Sequence, residues 1–458
     1  MKDFKILVMQ MLLLISCTCI ISSCSKDEYT KAIPANSTAL ISIDSKDLVK
    51  GGDNSFKDKI KGMLGITEIE DCGIDFEQRL YFFETSDGNF GGCLKVDDSD
   101  EIESWLDKLK TKRLCSNITN KKETTYALIN NSWEIGFTDE TLVILGPILP
   151  AQQADAIRSI SKYLKQDADD SGCSSPLFSK LDSIDSPVSI VTQIDALPEK
   201  LSLPFTLGQP KNSDASQIIL AAGLKSSSDG NLLINGHTFS FNDETDKALK
   251  ANLQKFRKIE GTYTNNIPQN SVCSIFMNVD GKDFVTMAHN SPAIGSLLAG
   301  INTAIDMDNI LRCINGDFAI AINSFSDSNI SMTMAAKLAN HDFVNDANYW
   351  KKSCPSGCTL TDEGKNRYFL KTSDTSFWFG ATDTEEFYGS TDKYSANSIF
   401  SASKCPYDKS TINTIKGKRL CMIFNITEFL KVNDSNSEMS GLVKSLFGNI
   451  NKIIYTLE

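Results

Sequence analysis

The sequence predicts an α+β fold: two tandem related α/β units with mainly antiparallel sheets. Three observations predict it. Strand-like and helical stretches mix without regular βαβ alternation. Short apolar runs come in pairs separated by turn residues, as in hairpins. A series of motifs recurs in the same order at a nearly constant offset, the signature of a repeat.

Residues 1–23 form a processing segment and leave the fold argument. Lys2 and Lys5 supply a charged start, and Ile6 to Ile21 is mostly apolar but too short and polar for a membrane span. The segment ends in Ile21-Ser22-Ser23-Cys24, an aliphatic residue and two small residues before cysteine. This resembles a bacterial lipobox, which makes Cys24 the expected lipid attachment site. Each buried methylene contributes about 0.8 kcal/mol, so two or three acyl chains such as palmitate hold a protein firmly. Leu14-Ile15-Ser16-Cys17 fits the pattern too, but Cys24 stands where polarity begins. Residues 24–31 read as a tether.

The first repeat is expected over 32–258 and the second over 267–458, with the boundary in the polar stretch Arg257 to Asn266. Ile33-Pro34-Ala35-Asn36-Ser37 leads to an apolar run and Asp44; Ile267-Pro268-Gln269-Asn270-Ser271 leads to a similar run and Asp280. Gly92 to Val96 before Asp100 is echoed by Met334 to Leu338 before Asp342. Gly136-Phe137-Thr138-Asp139 is echoed by Gly380-Ala381-Thr382-Asp383.

Within the first copy, Ala39 to Ile43 reads as a strand. Leu80 to Phe83 with Gly92 to Val96 reads as a hairpin around Asp87-Gly88. Ile102, Trp105, Leu106 and Leu109 fall at helical spacing and predict one apolar face. Strands follow at Tyr126 to Ile129, Trp133 to Phe137 and Leu142 to Leu145. A helix over Ala154 to Leu164, a strand from Val188, a hairpin (Gln217 to Leu224, Leu232 to Phe239) and a helix over Asp243 to Phe256 complete the copy. The second copy repeats the series from Ser274 to Ile453–Leu457 and is shortened at its C-terminus, lacking the return strand and closing helix.

The 458-residue chain has net charge −12. Removing Lys2, Asp3 and Lys5 takes one net positive charge and leaves −13, which disfavours nucleic acid as a partner. Ten cysteines follow Cys24 without the spacing of a disulfide scaffold. Cys354-Pro-Ser-Gly-Cys358 is the one close pair, compatible with a local disulfide.

The lipobox, a charged tether, and Tyr29-Thr30-Lys31-Ala32-Ile33-Pro34-Ala35 before an apolar strand resemble large outer-membrane lipoproteins of unknown function from Bacteroides-type bacteria. That family typically reads Ile-Pro-Ala-Asp, where this chain has Asn36. Its motifs are structural and bring no activity. The resemblance implies that Ser25, Lys26, Asp27 and Glu28 form a surface-export signal, and hence a lipid-anchored protein on the outer face of the outer membrane.

Catalytic motifs are missing from the sequence. His237, His289 and His341 are far apart, and no zinc-protease, nucleophile-elbow, phosphate-loop or dinucleotide pattern occurs. Asp167-x-Asp169-x-Ser171-Gly172 opens like a calcium loop, but Phe178 stands where the bidentate glutamate belongs. No metal and no cofactor is expected. Trp133 and Trp378 flank the repeated Gly-x-Thr-Asp turn and are the candidate ligand platforms. The expectation is a non-enzymatic surface lipoprotein with a binding or scaffolding role toward a glycan or protein. The alternatives are a carbohydrate-active hydrolase using two carboxylates, and a structural envelope protein.

Overall fold

The structure is a computed structural model. It describes residues 28–45, 69–197, 213–227, 229–268, 270–290, 302, 304–325, 330–373, 376–400, 407–432 and 450–457. Cys24, Ser25, Lys26 and Asp27 lie outside these residues. The chain divides into two compact units, 1–192 and 193–458. It is a mixed helix-and-strand protein whose sheets are mainly antiparallel.

In the first unit the strands are β1 (Ser37–Ile43), β2 (Leu80–Thr85), β3 (Phe90–Lys95), β4 (Thr119–Lys121), β5 (Thr124–Ile129), β6 (Trp133–Phe137), β7 (Thr141–Gly146) and β8 (Val188–Gln193). They pair antiparallel in the order β8-β1-β2-β3-β7-β6-β5-β4. The β5–β6 turn places Asn130 and Asn131 at φ 49° and 55°, a region asparagine tolerates better than most residues.

Helix α1 (Ser99–Thr111) covers one face. Its start is set by Asp98, whose side chain accepts from the backbone N–H of Asp100 and Glu101. Ile102, Trp105, Leu106 and Leu109 are buried against Ile135, Phe137 and Leu142, so the predicted apolar face is the packed one. Helix α2 (Gln153–Tyr163) and helix α3 (Pro176–Asp182) also belong to this unit. Helix α2 lies on the other face, where Ile160 comes so close to Gly136 that a Cβ there would stand 2.5 Å from its Cγ2. The N-terminal turn Glu28–Ala32 is already folded: Tyr29 is 2% exposed and its hydroxyl donates to the Arg79 carbonyl at 2.8 Å. Within the stretch expected as tether, Glu28 to Lys31 are therefore folded, and the Tyr29 ring packs against Tyr81.

In the second unit, β9 (Ile219–Ser226) and β10 (Asn231–Phe239) form the expected hairpin, and helix α4 (Asp243–Leu253) follows. That helix stops before Phe256, which instead opens the two-residue strand β11 (Phe256–Arg257) paired with Val279. The ring is 2% exposed, and pairing keeps it in the core after Gln254 ends the helix.

The remaining strands are β12 (Cys273–Asp280), β13 (Ile314–Phe325), β14 (Ile330–Leu338), β15 (Thr359–Gly364), β16 (Arg367–Lys371), β17 (Ser376–Ala381), β18 (Glu386–Ser390), β19 (Leu420–Asn425) and β20 (Lys452–Leu457). Eight of them pair antiparallel as β19-β12-β13-β14-β18-β17-β16-β15. Strand for strand, this is the order of the first unit. Strand β20 pairs antiparallel with β19 and parallel with β10, so the hairpin belongs to the second compact unit.

Both faces of the second sheet are covered. On one, α5 (Gly281–Asn290), α6 (Met307–Arg312) and α7 (Ala347–Ser353) pack against Phe318, Met334, Phe379 and Phe387. On the other, Ile259, Tyr263, α8 (Lys393–Ser398) and α9 (Lys409–Ile415) pack on Ala319, Ala321 and Ala335. Helix α10 (Ile426–Val432) follows β19. The segment Ile259 to Thr264 is fixed by Asp317, which is 5% exposed. Its carboxylate accepts from the backbone N–H of Glu260, Gly261 and Thr262 and from Asn278 Nδ2, at 2.7–3.0 Å.

Candidate functional site

The best-defined concave site in the first unit is built around Glu134. Strand alternation turns Trp133, Ile135 and Phe137 toward the α1 face, so Glu134 and Gly136 turn toward α2. Glu134 is 1% exposed. Its Oε2 accepts from Gln153 Nε2, in the first turn of α2, at 3.1 Å. A cavity of about 90 Å³ adjoins it, lined by Ser116, Asn117, Thr119, Lys121, Tyr126 and Gln153 among others. The Lys121 ammonium lies 6.0 Å from the centre of the Tyr126 ring.

Burial raises the Glu134 carboxyl from 4.5 to about 7, against the opposing pull of the Gln153 hydrogen bond and the Lys121 charge. This is the behaviour of a carboxylate taken out of water without a close ion pair. The arrangement can hold or release a proton near neutral pH. Glu134 is the sole carboxylate among the described lining residues. The cavity volume falls below the roughly 300–1,000 Å³ of ordinary small-molecule sites.

The two tryptophans singled out by sequence lie in different units and on different kinds of face. Trp133 is half-buried at the end of the α1 face, edge-on to Phe90 with ring centres 6.3 Å apart; Phe90 is 39% exposed. Trp378 is half-buried on the sheet face away from α7 and stacks on Phe369 at 4.4 Å. Its indole nitrogen is buried and has no hydrogen-bond partner among the described residues. The spacing from the repeated glycine explains the difference. Glu134 stands two residues before Gly136 and Trp378 two before Gly380, so the turn motif aligns Glu134, not Trp133, with Trp378. A one-residue slip changes the face of every side chain. At the position where the first ladder carries a buried acid beside a cavity, the second carries a stacked indole.

Of the expected export signal, Glu28 is described: it pairs with Lys31 at 2.5 Å, which holds its carboxyl below the usual range. In the acidic stretch after Asp167, Ser171 is buried against Pro34 and its hydroxyl donates to the Ala168 carbonyl. Among the described residues, no three His, Cys, Asp or Glu side chains gather as metal ligands. Sequence reading missed Glu134, Gln153 and Lys121. The available signal was an acid at the α2-facing position of an otherwise apolar strand.

The fold and site define a mixed α/β protein with mainly antiparallel sheets and a buried, protonatable carboxyl. A family model described as a domain of unknown function, DUF4836, matches residues 65–458. The chain belongs to the DUF4836 family. No curated protein matches it. Two crystal forms of TP0453 are similar at 7% identity and a TM-score of 0.21. Form III covers 80% of this chain and 95% of that chain; form I covers 82% and 100%. A TM-score that low does not define a common fold.

Proposed function

We propose that this is a lipoprotein tethered through Cys24 to the outer face of a bacterial outer membrane. Its body, a tandem duplication of one α+β unit, binds or scaffolds a protein or glycan without catalysing a reaction. The observation that carries the reading of the body is the repeated eight-strand order, β8-β1-β2-β3-β7-β6-β5-β4 and β19-β12-β13-β14-β18-β17-β16-β15, which runs parallel to the repeated sequence motifs. The small Glu134 cavity supports a non-enzymatic role over a hydrolase. The lipobox at Ile21 to Cys24 supports the anchor. With the turn Glu28–Ala32 already packed, Ser25 to Asp27 form a short tether, spanning roughly 10–11 Å when extended. It keeps the body close to the membrane.

The anchor is tested by labelling cells with a palmitate analogue: the intact protein takes up label and Cys24→Ala does not. Protease shaving of intact cells tests display, and a fully protected protein counts against it. Trp133 beside exposed Phe90 is the surface feature assigned to ligand contact, so Trp133→Ala weakens binding on a glycan or surface-protein panel. Cleavage of a defined glycan or peptide, abolished by one carboxylate substitution, would sink the non-enzymatic reading. No binding by the intact protein, together with an envelope defect on deletion, favours the purely structural role.

A further inference from the structure

The geometry points to a disulfide modification site between Cys354 and Cys358, which staples helix α7 to edge strand β15 in the exported protein. Cys354 is the C-cap residue of α7, and Cys358 directly precedes β15. Between them Pro355-Ser356-Gly357 doubles the chain back. The Cys358 N–H donates to the Pro355 carbonyl at 3.0 Å, and Gly357 takes φ +84°, which glycine adopts without strain. The turn brings the two sulfur atoms to 2.7 Å, closer than ordinary nonbonded sulfur contact. Both side chains are half-buried and pack against the core formed by Trp350, Leu360 and Tyr368.

Other cysteines behave differently. Cys93 and Cys313 donate to the carbonyls of Tyr29 and Asn309 and act as buried hydrophobes with a satisfied thiol. At the 354–358 pair, burial and then the neighbouring Cys358 push the Cys354 thiol up to about 11, so little of that thiol is thiolate at neutral pH. Closure therefore takes a disulfide donor of the thiol–disulfide oxidoreductase class. One cysteine thiolate attacks the donor disulfide and releases a donor thiol. The second thiolate attacks the mixed disulfide, forms the Cys354–Cys358 bond and releases the second donor thiol. Two protons leave the pair, and its two electrons reduce the donor. The bond adds to the Lys351–Asp362 ion pair at 2.7 Å, which joins the same helix to the same strand. It protects an edge that in the described ladder has β16 on one side.

The inference rests on the reading that the chain is exported, and the test separates the two. Full-length protein is recovered from the membrane fraction in the presence of N-ethylmaleimide and digested with trypsin. The peptide Ser353–Lys365 carries these two cysteines and no other. The expected peptide is unlabelled, lighter than the dithiol by two hydrogens, and takes two labels after reduction. Two labels without reduction, in protein shown to be exported, overturn the proposal. If fractionation shows that the protein is not exported, the purified chain is treated with oxidised glutathione; closure then supports the site, and two free thiols overturn it. Hydrogen exchange in α7 and β15 is expected to quicken with reductant in the wild type and to be insensitive to reductant in the C354S/C358S double variant. Equal exchange in the wild type with and without reductant overturns the stapling role.

Discussion

Two buried carboxylates illustrate opposite solutions to the same cost. Asp317 is given four donors, three of them backbone N–H groups, and holds the segment after β11 in place. Replacing it with alanine leaves those donors buried and unpaired, so Asp317→Ala is expected to cost about 3 kcal/mol or more. Chemical denaturation measures the loss, and hydrogen exchange should quicken first at Glu260 to Thr262. Glu134 has one neutral donor, and burial raises its carboxyl to about 7. A raised acid favours the folded state while it is protonated. Its contribution is fully present below about pH 4.5, the unfolded value, and is lost as pH rises through about 7. The loss is at most about 3 kcal/mol, taking 1.36 kcal/mol per pH unit. Glu134→Gln is expected to flatten the stability profile between pH 4.5 and 7 and to be the more stable protein at pH 8. Equal pH dependence in thermal melts of the two proteins would contradict this account.

At the scale of elements, helix α1 shows which of its supports dominates. Its N-cap Asp98 accepts two backbone hydrogen bonds, and removing such a cap costs about 1 kcal/mol. Leu106 is 0% exposed inside the cluster with Trp105, Ile135 and Phe137, and truncating a leucine there costs about 2–5 kcal/mol. Leu106→Ala is therefore expected to lower stability by more than twice as much as Asp98→Ala, measured by urea denaturation. Similar losses for the two would mean that the helix is held by its end rather than by its buried face. The small residues of the opposite layer follow the same packing logic. Ala319, Ala321 and Ala335 leave room for Tyr263 and Tyr388 on the second sheet, as Gly136 leaves room for Ile160 on the first.

At the scale of the whole molecule, the two compact units should respond separately. Strand β20 is a central strand, flanked by β19 and, in parallel, by β10. Proline at Ile454 removes a ladder donor and forces the local backbone, which a central strand does not tolerate. Ile454→Pro is expected to accelerate hydrogen exchange in β9, β10 and β19, leaving β5, β6 and β7 close to wild type. Uniform acceleration through both units would show one cooperative body instead of two. The same pairing gives the hairpin its place. Sequence offsets attach it to the first repeat, whereas hydrogen bonding puts it in the second compact unit.

What the sequence by itself determined is local and periodic. Alternation located nearly all the long strands, helical spacing picked out the buried face of α1, and Asp87-Gly88 marked its turn. These signals survive because each depends on residues within one or two turns of chain. Short elements such as β4, β15, α3 and α9 carried too little periodicity to be read. Tertiary structure alone decided which side chains share a face across strands far apart in sequence. Trp133 and Trp378 stand just before the same turn motif, whose offset already pairs Trp378 with Glu134; only packing makes the first position a buried acid beside a cavity and the second a stacked indole. Glu134 became a candidate site only when α2 covered it, and β20 found β10 from more than two hundred residues away. Such choices follow from register and long-range packing, where a shift of one residue reverses inside and outside, and no local pattern encodes them.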